Sequence, residues 1–304
     1  MKTWQSMLPS SKTPNPEDFR YTSARVKVLE TRLLSETDFL RFRNLAPGAR
    51  VSAMQDTFGW FDGVASNFRN QANAHLYDVA MRLASECNAP DLAAYFLLPK
   101  GFEQAQAVLE GAPCPKVLVP QFSMYCSTGS ISDLPTEAQD CFEKASRLHD
   151  LGLVGSARRL ITSTLISLMK QSRFTKLPYF SKLLTHWIDT LDVRLLISSM
   201  LRVGTYKGLK GGSLNLRSDT DLSQIARKLG IRDADPFSIE KKLDDMLFES
   251  VVESRKMPYG PEVVFGYLWE LEREFRNASM LVVGAEVAIP PEELERAYRS
   301  AYAN

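Results

Sequence analysis

Apolar residues recur at helical spacing along most of the chain. Val26, Leu29 and Leu33 share one stripe while Arg25, Lys27, Glu30 and Arg32 take the other faces, which predicts a helix from Glu17 onward. Ser35-Glu36-Thr37-Asp38 reads as a capping box opening a second helix, because the Ser oxygen can accept an orphan N–H three residues on. Asp62-Gly63 is a turn signal, but no alternating run flanks it, so it predicts a loop between helices. Thr136-Glu137-Ala138-Gln139 is another capping box, followed by helical spacing toward Asp150. The stretch 157–203 is mostly apolar and helical in period, with an interruption near Pro178. Leu222, Ile225, Ala226 and Leu229 mark a short helix with Gly230 placed as its C′ residue. Asp235-Pro236 is an N-cap followed by proline at the first helical position, and Ile239, Leu243, Met246, Leu247 and Val251 carry that helix forward. Pro258-Tyr259-Gly260-Pro261 stops it, and further helices are expected near 262–284 and 291–302.

Three segments break the pattern. Residues 1–16, with Pro9, Pro14 and Pro16, are a poor helix former and read as a flexible lead-in. Residues 111–135 carry Pro113, Pro115, Pro120 and Pro135. They hold the only strand candidate, Val117-Leu118-Val119, which is too short to build a sheet. Lys210-Gly211-Gly212-Ser213 is the third break. No strand–helix–strand alternation occurs, and the expected class is all-α.

Composition changes this picture mainly by exclusion. The chain has 304 residues with 44% hydrophobic and 24% charged, which supports two or three cores rather than disorder. Lys and Arg (37) nearly balance Asp and Glu (36), so there is no overall basic field for gripping nucleic acid. The charge-free stretches are too short and too polar to span a bilayer, and residues 1–20 lack the apolar core of a secretory signal. Cys87, Cys114, Cys126 and Cys141 are scattered without a CxxC, which predicts reduced thiols rather than a disulfide framework or a zinc site.

Residues arranged for chemistry are few. His75, His149 and His186 have no HExxH or HxH arrangement and lie within helical patterns. Gly204, Gly208, Gly211 and Gly212 with Lys207 and Lys210 form a glycine-rich segment. It lacks the GK[ST] ending and the preceding strand of a phosphate loop, so a flexible interhelical loop is expected. Ser167-Leu168-Met169-Lys170 matches SxxK without the companion SDN and KTG motifs. Asn277-Ala278-Ser279 fits the glycosylation triplet but lies mid-helix. Arg158-Arg159 and Lys241-Lys242 are isolated pairs on helix faces, and no two carboxylates stand out as a catalytic pair. No catalytic residue, cofactor site or metal site is expected, which favours a scaffold or interaction protein.

One internal regularity does stand out. An offset of 82 aligns Asp192 with Glu274 without a gap over nearly twenty residues, pairing Trp187 with Trp269, Val193 with Phe275, Arg194 with Arg276 and Leu201 with Val283. A weaker third copy lies at 75–83, with Asp78 in the acidic slot. Either the chain contains a threefold repeat, or buried amphipathic helices with wet Asp, Glu and Arg simply look alike.

These residues carry a resemblance. Pro258, Tyr259, Gly260, Glu274, Asn277, Gly284, Pro291 and Glu292 fill the slots of a Pro-aromatic-Gly turn, a helix ending Glu-x-x-Asn with an apolar tail and Gly, and a closing Pro-x-Glu helix. That run, 258–298, resembles the C-terminal signature of the C-type subunit family of V-type (A/V-type) ATPases, whose members in eukaryotic vacuolar ATPases are designated d. Tyr21 to Ser35, including Arg25, is similar to the family's opening helix. Arg158, Tyr179-Phe180, Asp192, Arg202 and Gly211-Gly212-Ser213 follow its middle part. Met81 and Leu195 stand where the other modules usually carry Asn, and 111–135 has no counterpart.

The resemblance implies three similar helical modules around a pseudo-threefold axis, forming a funnel. On this sequence the modules fall at 17–110, 136–212 and 213–304, with 111–135 as a Pro-rich linker and the N- and C-terminal helices able to pack together. It implies a non-catalytic rotor component on the cytoplasmic face of the membrane, peripheral, linking the D and F proteins of the central shaft to the membrane rotor ring of c/K/L-type subunits. Torque for H+ or Na+ translocation would pass through it. The family-motif residues Arg25, Asp78, Asp192, Arg194, Glu274, Arg276 and Asn277 are expected to fix helix–helix register, and Lys207 and Lys210 are weak candidates for partner contact. The alternatives are a helical-repeat scaffold serving another assembly and, more remotely, a helical hydrolase using Ser167 and Lys170.

Overall fold

The computed structural model describes residues 12–298 apart from 118, 133, 135, 202–207, 218–219 and 233; the side chains of 201 and 295–297 are also left aside. Of the expected lead-in, residues 1–11 lie outside the described residues. Asn15, within it, already has a structural role. Its side-chain oxygen accepts from the Glu17 N–H and opens a 3-10 turn over Pro16–Phe19.

Among the described residues there are thirteen α-helices and no strand, so the all-α expectation holds. They are α1 (Arg20–Glu30), α2 (Glu36–Arg43), α3 (Pro47–Thr57), α4 (Ala65–Glu86), α5 (Pro90–Leu109), α6 (Ser123–Thr128) and α7 (Thr136–Asp150). There follow α8 (Val154–Gln171), α9 (Pro178–Leu201), α10 (Leu222–Leu229), α11 (Pro236–Val252), α12 (Pro261–Glu286) and α13 (Pro291–Ala297). The chain forms two compact units. The first contains residues 90–254 with 12–14, the second residues 15–89 and 255–298.

Most helix ends follow the local chemistry. The Ser35 hydroxyl accepts from Asp38 N at 3.2 Å and the Asp38 carboxylate accepts from Ser35 N at 3.0 Å, completing the capping box of α2. Asp235 caps α11 through Ser238 N, with Pro236 at the first helical position. Gly230 ends α10 in the left-handed region at φ +70, as its C′ position requires. At α7 the expected box takes another form. Thr136 is itself helical, and the Gln139 amide donates to the carbonyls of Leu134 (2.6 Å) and Ser132 (3.3 Å) instead.

The Pro-rich break over 111–135 is more ordered than expected. It holds a 3-10 turn over Pro120–Phe122 and the short helix α6. At the strand candidate, Leu118 lies outside the described residues, while Val117 and Val119 are held by one side chain. Gln104 Nε2 donates to Val117 O at 2.9 Å, and Gln104 Oε1 accepts from Val119 N at 3.0 Å. A primary amide has one donor side and one acceptor side, and so stands in for the strand partner that is lacking.

In the first unit α7 and α8 form an antiparallel hairpin through Gly152, whose φ of +74 favours glycine. Phe102 of α5 meets Phe122 and Phe142 at ring distances of 5.4 and 5.5 Å. Phe122 reaches that position because residue 101 is glycine; a Cβ there would overlap its ring. Val193 and Leu196 of α9, Ile225, Ala226 and Leu229 of α10, and Ile239 and Leu243 of α11 make a further core cluster. In the second unit α12 is the central helix, packed by α1, α2, α3, α4 and α13. The turn before it is tied to α1: the Ser23 hydroxyl accepts from Gly260 N and donates to Gly260 O. Gly260 sits at φ +136, which a residue with a Cβ rarely adopts.

Candidate functional site

Along the apolar face of α9, two carboxylates occupy core positions. Asp189 and Asp192, three residues apart and so on one side of the helix, are each 3% exposed. Asp192 accepts from Leu209 N at 2.8 Å. Asp189 accepts from Leu214 N at 2.9 Å and from the Ser213 hydroxyl at 2.6 Å. The glycine-rich break is thereby laid along α9. Gly212 is needed for that approach, since a Cβ would fall on Asp189 Oδ1. Lys210 contributes its carbonyl, which accepts from Lys170 Nζ at 3.1 Å. Lys207 lies outside the described residues.

The same device appears on α12. Glu270, Glu274 and Asn277 follow one another at four- and three-residue steps in a stripe that also holds Val263, Tyr267 and Leu281, and all six are buried. Glu274 accepts from Leu34 N at 2.6 Å, holding the turn between α1 and α2. Burial is the main force on its acidity. Together with the nearby carboxylates Asp38 and Glu270, it outweighs the Leu34 hydrogen bond, and the pKa is pushed up to about 8. Glu270 is also pushed up by burial, against the opposing pull of Arg255, whose Nη2 meets it at 2.5 Å. Asp192 and Glu274, aligned in sequence at the 82-residue offset, therefore do the same thing. Each is a buried carboxylate that receives the backbone N–H of a separate segment.

The motif arginines do not enter these sites. Arg194 is half exposed and reaches Asp244 of α11 at 3.4 Å. Arg276 pairs with Glu272 on its own helix at 3.2 Å. Arg25 of α1 pairs with Glu86 at the end of α4. Asp78 is exposed, so the third repeat copy does not place its acidic residue as the other two do. Asn277 is buried at 2% exposure. Ser167 is exposed on α8, and Lys170 is engaged with the Lys210 carbonyl. His186 shares a hydrogen bond with the Ser250 hydroxyl at 2.8 Å, and His75 stacks on Trp60 at 5.4 Å. Among the described residues no three His, Cys, Asp or Glu side chains are grouped to hold a metal, and no helix is long and apolar enough to cross a membrane. None of the four cysteines forms a disulfide.

Several structural residues escaped the motif search: Asp189, Glu270 with Arg255, and Asp91 with Arg173, a pair joined at 2.5 and 2.8 Å. The signal that could have found Asp189 and Glu270 is phase. Both are charged residues at positions where the helical period calls for an apolar one, and such a residue is buried only with a partner.

What these residues define is a helical scaffold whose buried acids fasten connecting segments onto long helices. Compared with known protein families, residues 165–297 match the family described as ATP synthase (C/AC39) subunit. The matched span covers the end of α8 and α9 to α13, so it includes both Asp192 and Glu274, and it is the same family that the sequence motifs resemble. No curated protein matches the chain.

Proposed function

We propose that the chain is a non-catalytic component of a V/A-type rotary ATPase that joins the D and F proteins of the central shaft to the membrane rotor ring of c/K/L-type subunits. The match of residues 165–297 to the ATP synthase (C/AC39) subunit family carries this reading. The geometry supports it in one respect. An element that passes torque must not let its connections yield, and here buried carboxylates bind backbone N–H groups of the connections themselves. In this reading the protein sits peripherally on the cytoplasmic face, held by its partners, and H+ or Na+ crosses the membrane elsewhere in the complex.

The division into three similar helical modules, 17–110, 136–212 and 213–304, belongs to the same proposal. It is supported by the parallel between Asp192 and Glu274. In this reading Arg25, Asp78, Asp192, Arg194, Glu274, Arg276 and Asn277 act within the fold, and Lys207 and Lys210 are weak candidates for contact with a partner, shaft or ring. An affinity pull-down from gently solubilised membranes of the source cell tests the proposal. Shaft and ring proteins should be recovered together with the bait. Recovery of neither, from membranes whose ATPase is intact, would favour a helical scaffold of some other assembly.

A further inference from the structure

We propose that the second unit contains a proton-binding site, a buried carboxyl cluster of Glu30, Glu270 and Glu274 with Glu274 as its seat, and that this proton lets Glu274 stay buried between α12 and the α1–α2 turn. The proposal goes beyond the rotor reading and does not depend on it.

Glu30, Glu270 and Glu274 are 7%, 4% and 8% exposed. Two cations accompany them: Arg255 grips Glu270, and Lys27 stands 3.4 Å from one oxygen of Glu30. The other oxygen of Glu30 is buried without a hydrogen-bond partner. Glu274 has no cation; its partner is the neutral N–H of Leu34. Three buried carboxyls against two cations leave one negative charge uncompensated. An ionised carboxylate without a counter-charge is costly to bury, and such a group takes up a proton instead.

The surroundings do not supply the missing positive charge. From α1, Lys27 and Glu30 belong to the cluster, Arg25 pairs with Glu86 and Arg20 with Glu17; from α2, Asp38 adds repulsion and is itself met by Arg41 at 3.9 Å, with Arg43 in the last turn. From α4, Arg82 is exposed and acts on Tyr267, Glu86 is paired with Arg25, Asp78 is exposed, and His75, which packs on Phe275 beside Glu274, is held toward its neutral form by burial. From α3, Arg50 gives Nε and Nη2 to the carbonyls of Phe42, Arg43 and Leu45, its Nη1 is buried without a hydrogen-bond partner, and it makes no ion pair with the three glutamates. Glu292 and Glu293 of α13 are exposed, as are Glu17 and Asp18 of the N-terminal 3-10 turn. Along α12 itself, Glu272 pairs with Arg276, and Glu262 and Arg273 flank the stripe.

The elevated pKa of Glu274, about 8, agrees with this geometry. The folded state therefore holds the proton more tightly than the unfolded state, whose glutamate titrates near 4.5. The proton's contribution to stability is complete below 4.5, declines as the pH rises, and is gone above about 8. Above that value a charge appears, buried beside Asp38 and Glu270; the Leu34 N–H favours the ionised oxygen but does not offset its desolvation, so the folded state is weakened.

Infrared spectroscopy of the whole protein tests this, with a pH titration of stability alongside. A protonated carboxylic C=O band should be present at neutral pH, fade with a midpoint near 8, and be missing from Glu274→Gln. The variant keeps the shape of the neutral acid, so its stability should lack the decline between 4.5 and 8 that the native chain shows. Absence of the band from the native protein, or its persistence in Glu274→Gln, would overturn the proposal. Should the variant fail to fold, carbon-13 NMR of glutamate carboxyls in the native chain decides. One resonance with a midpoint near 8 supports the site, and all glutamates titrating in the ordinary carboxylate range overturn it.

Discussion

Arg173 and Asp91 meet in a two-point ion pair, Nε to Oδ2 at 2.5 Å and Nη2 to Oδ1 at 2.8 Å, that ties the 3-10 turn before α9 to the first turn of α5. Asp91 is 7% exposed, so removing the guanidinium strands a buried charge. Arg173→Ala is expected to cost about 3–5 kcal/mol in urea unfolding. Arg173→Lys keeps the charge but loses the planar fork, and should fall between. A loss below about 1 kcal/mol for the alanine variant would mean that the pair is dispensable.

Glycine positions divide by what a methyl group would meet. Gly101→Ala drives a Cβ into the Phe122 ring, and Gly212→Ala drives one onto Asp189. Each is expected to destabilise by about 1–3 kcal/mol. Gly155 near the start of α8 faces open space, so Gly155→Ala should stabilise by about 0.5–1 kcal/mol. Thermal unfolding of the three variants checks the order, which would be wrong if Gly155→Ala proved the most damaging.

The segment beyond Lys210 depends on α9 for its place. Asp189→Ala removes the acceptor for both the Ser213 hydroxyl and Leu214 N–H. Trypsin cleavage after Lys210 or Arg217 should accelerate several-fold while helical content stays near native, because the loss is local. Unchanged cleavage would show that the segment is held by something else.

His75 is stacked on Trp60, at 5.4 Å and 18° between the rings. Its pKa is lowered from 6.5, chiefly by burial, then by Arg82, with Asp78 pulling the other way. The unfolded chain thus binds the proton first as the pH falls, so stability should drop below pH 6.5. Proton NMR of the imidazole ring should give a midpoint under 6.5, accompanied by a shift of the Trp60 indole signal. A midpoint at or above 6.5 would contradict the stacked, half-buried placement.

Much of the helical framework was legible because capping and period are local. Ser35, Asp235 and Gly230 each do what their spacing requires, and Val26 and Leu243 fall on the buried faces expected of them. What escaped was non-local. Helix α5 is buried on nearly every face and contains Pro99, so no amphipathic stripe marks it. Helix α6 is too short for a period to show, and Val117 and Val119 find their partner in Gln104, a residue on another element. The candidate site was half visible. The 82-residue offset picked out Asp192 and Glu274, which do share a task, but it also selected Arg194 and Arg276, which lie outside it. Partners for Glu270 and Asp189 could be known only once α12 and α9 had been packed.

Depletion and add-back decide whether this chain links shaft to ring in a rotary ATPase. Membranes of the source organism stripped of the protein should hydrolyse ATP with ion pumping uncoupled or abolished, and the purified chain should restore coupled pumping. Full ATP-driven pumping in membranes lacking the chain would contradict the account.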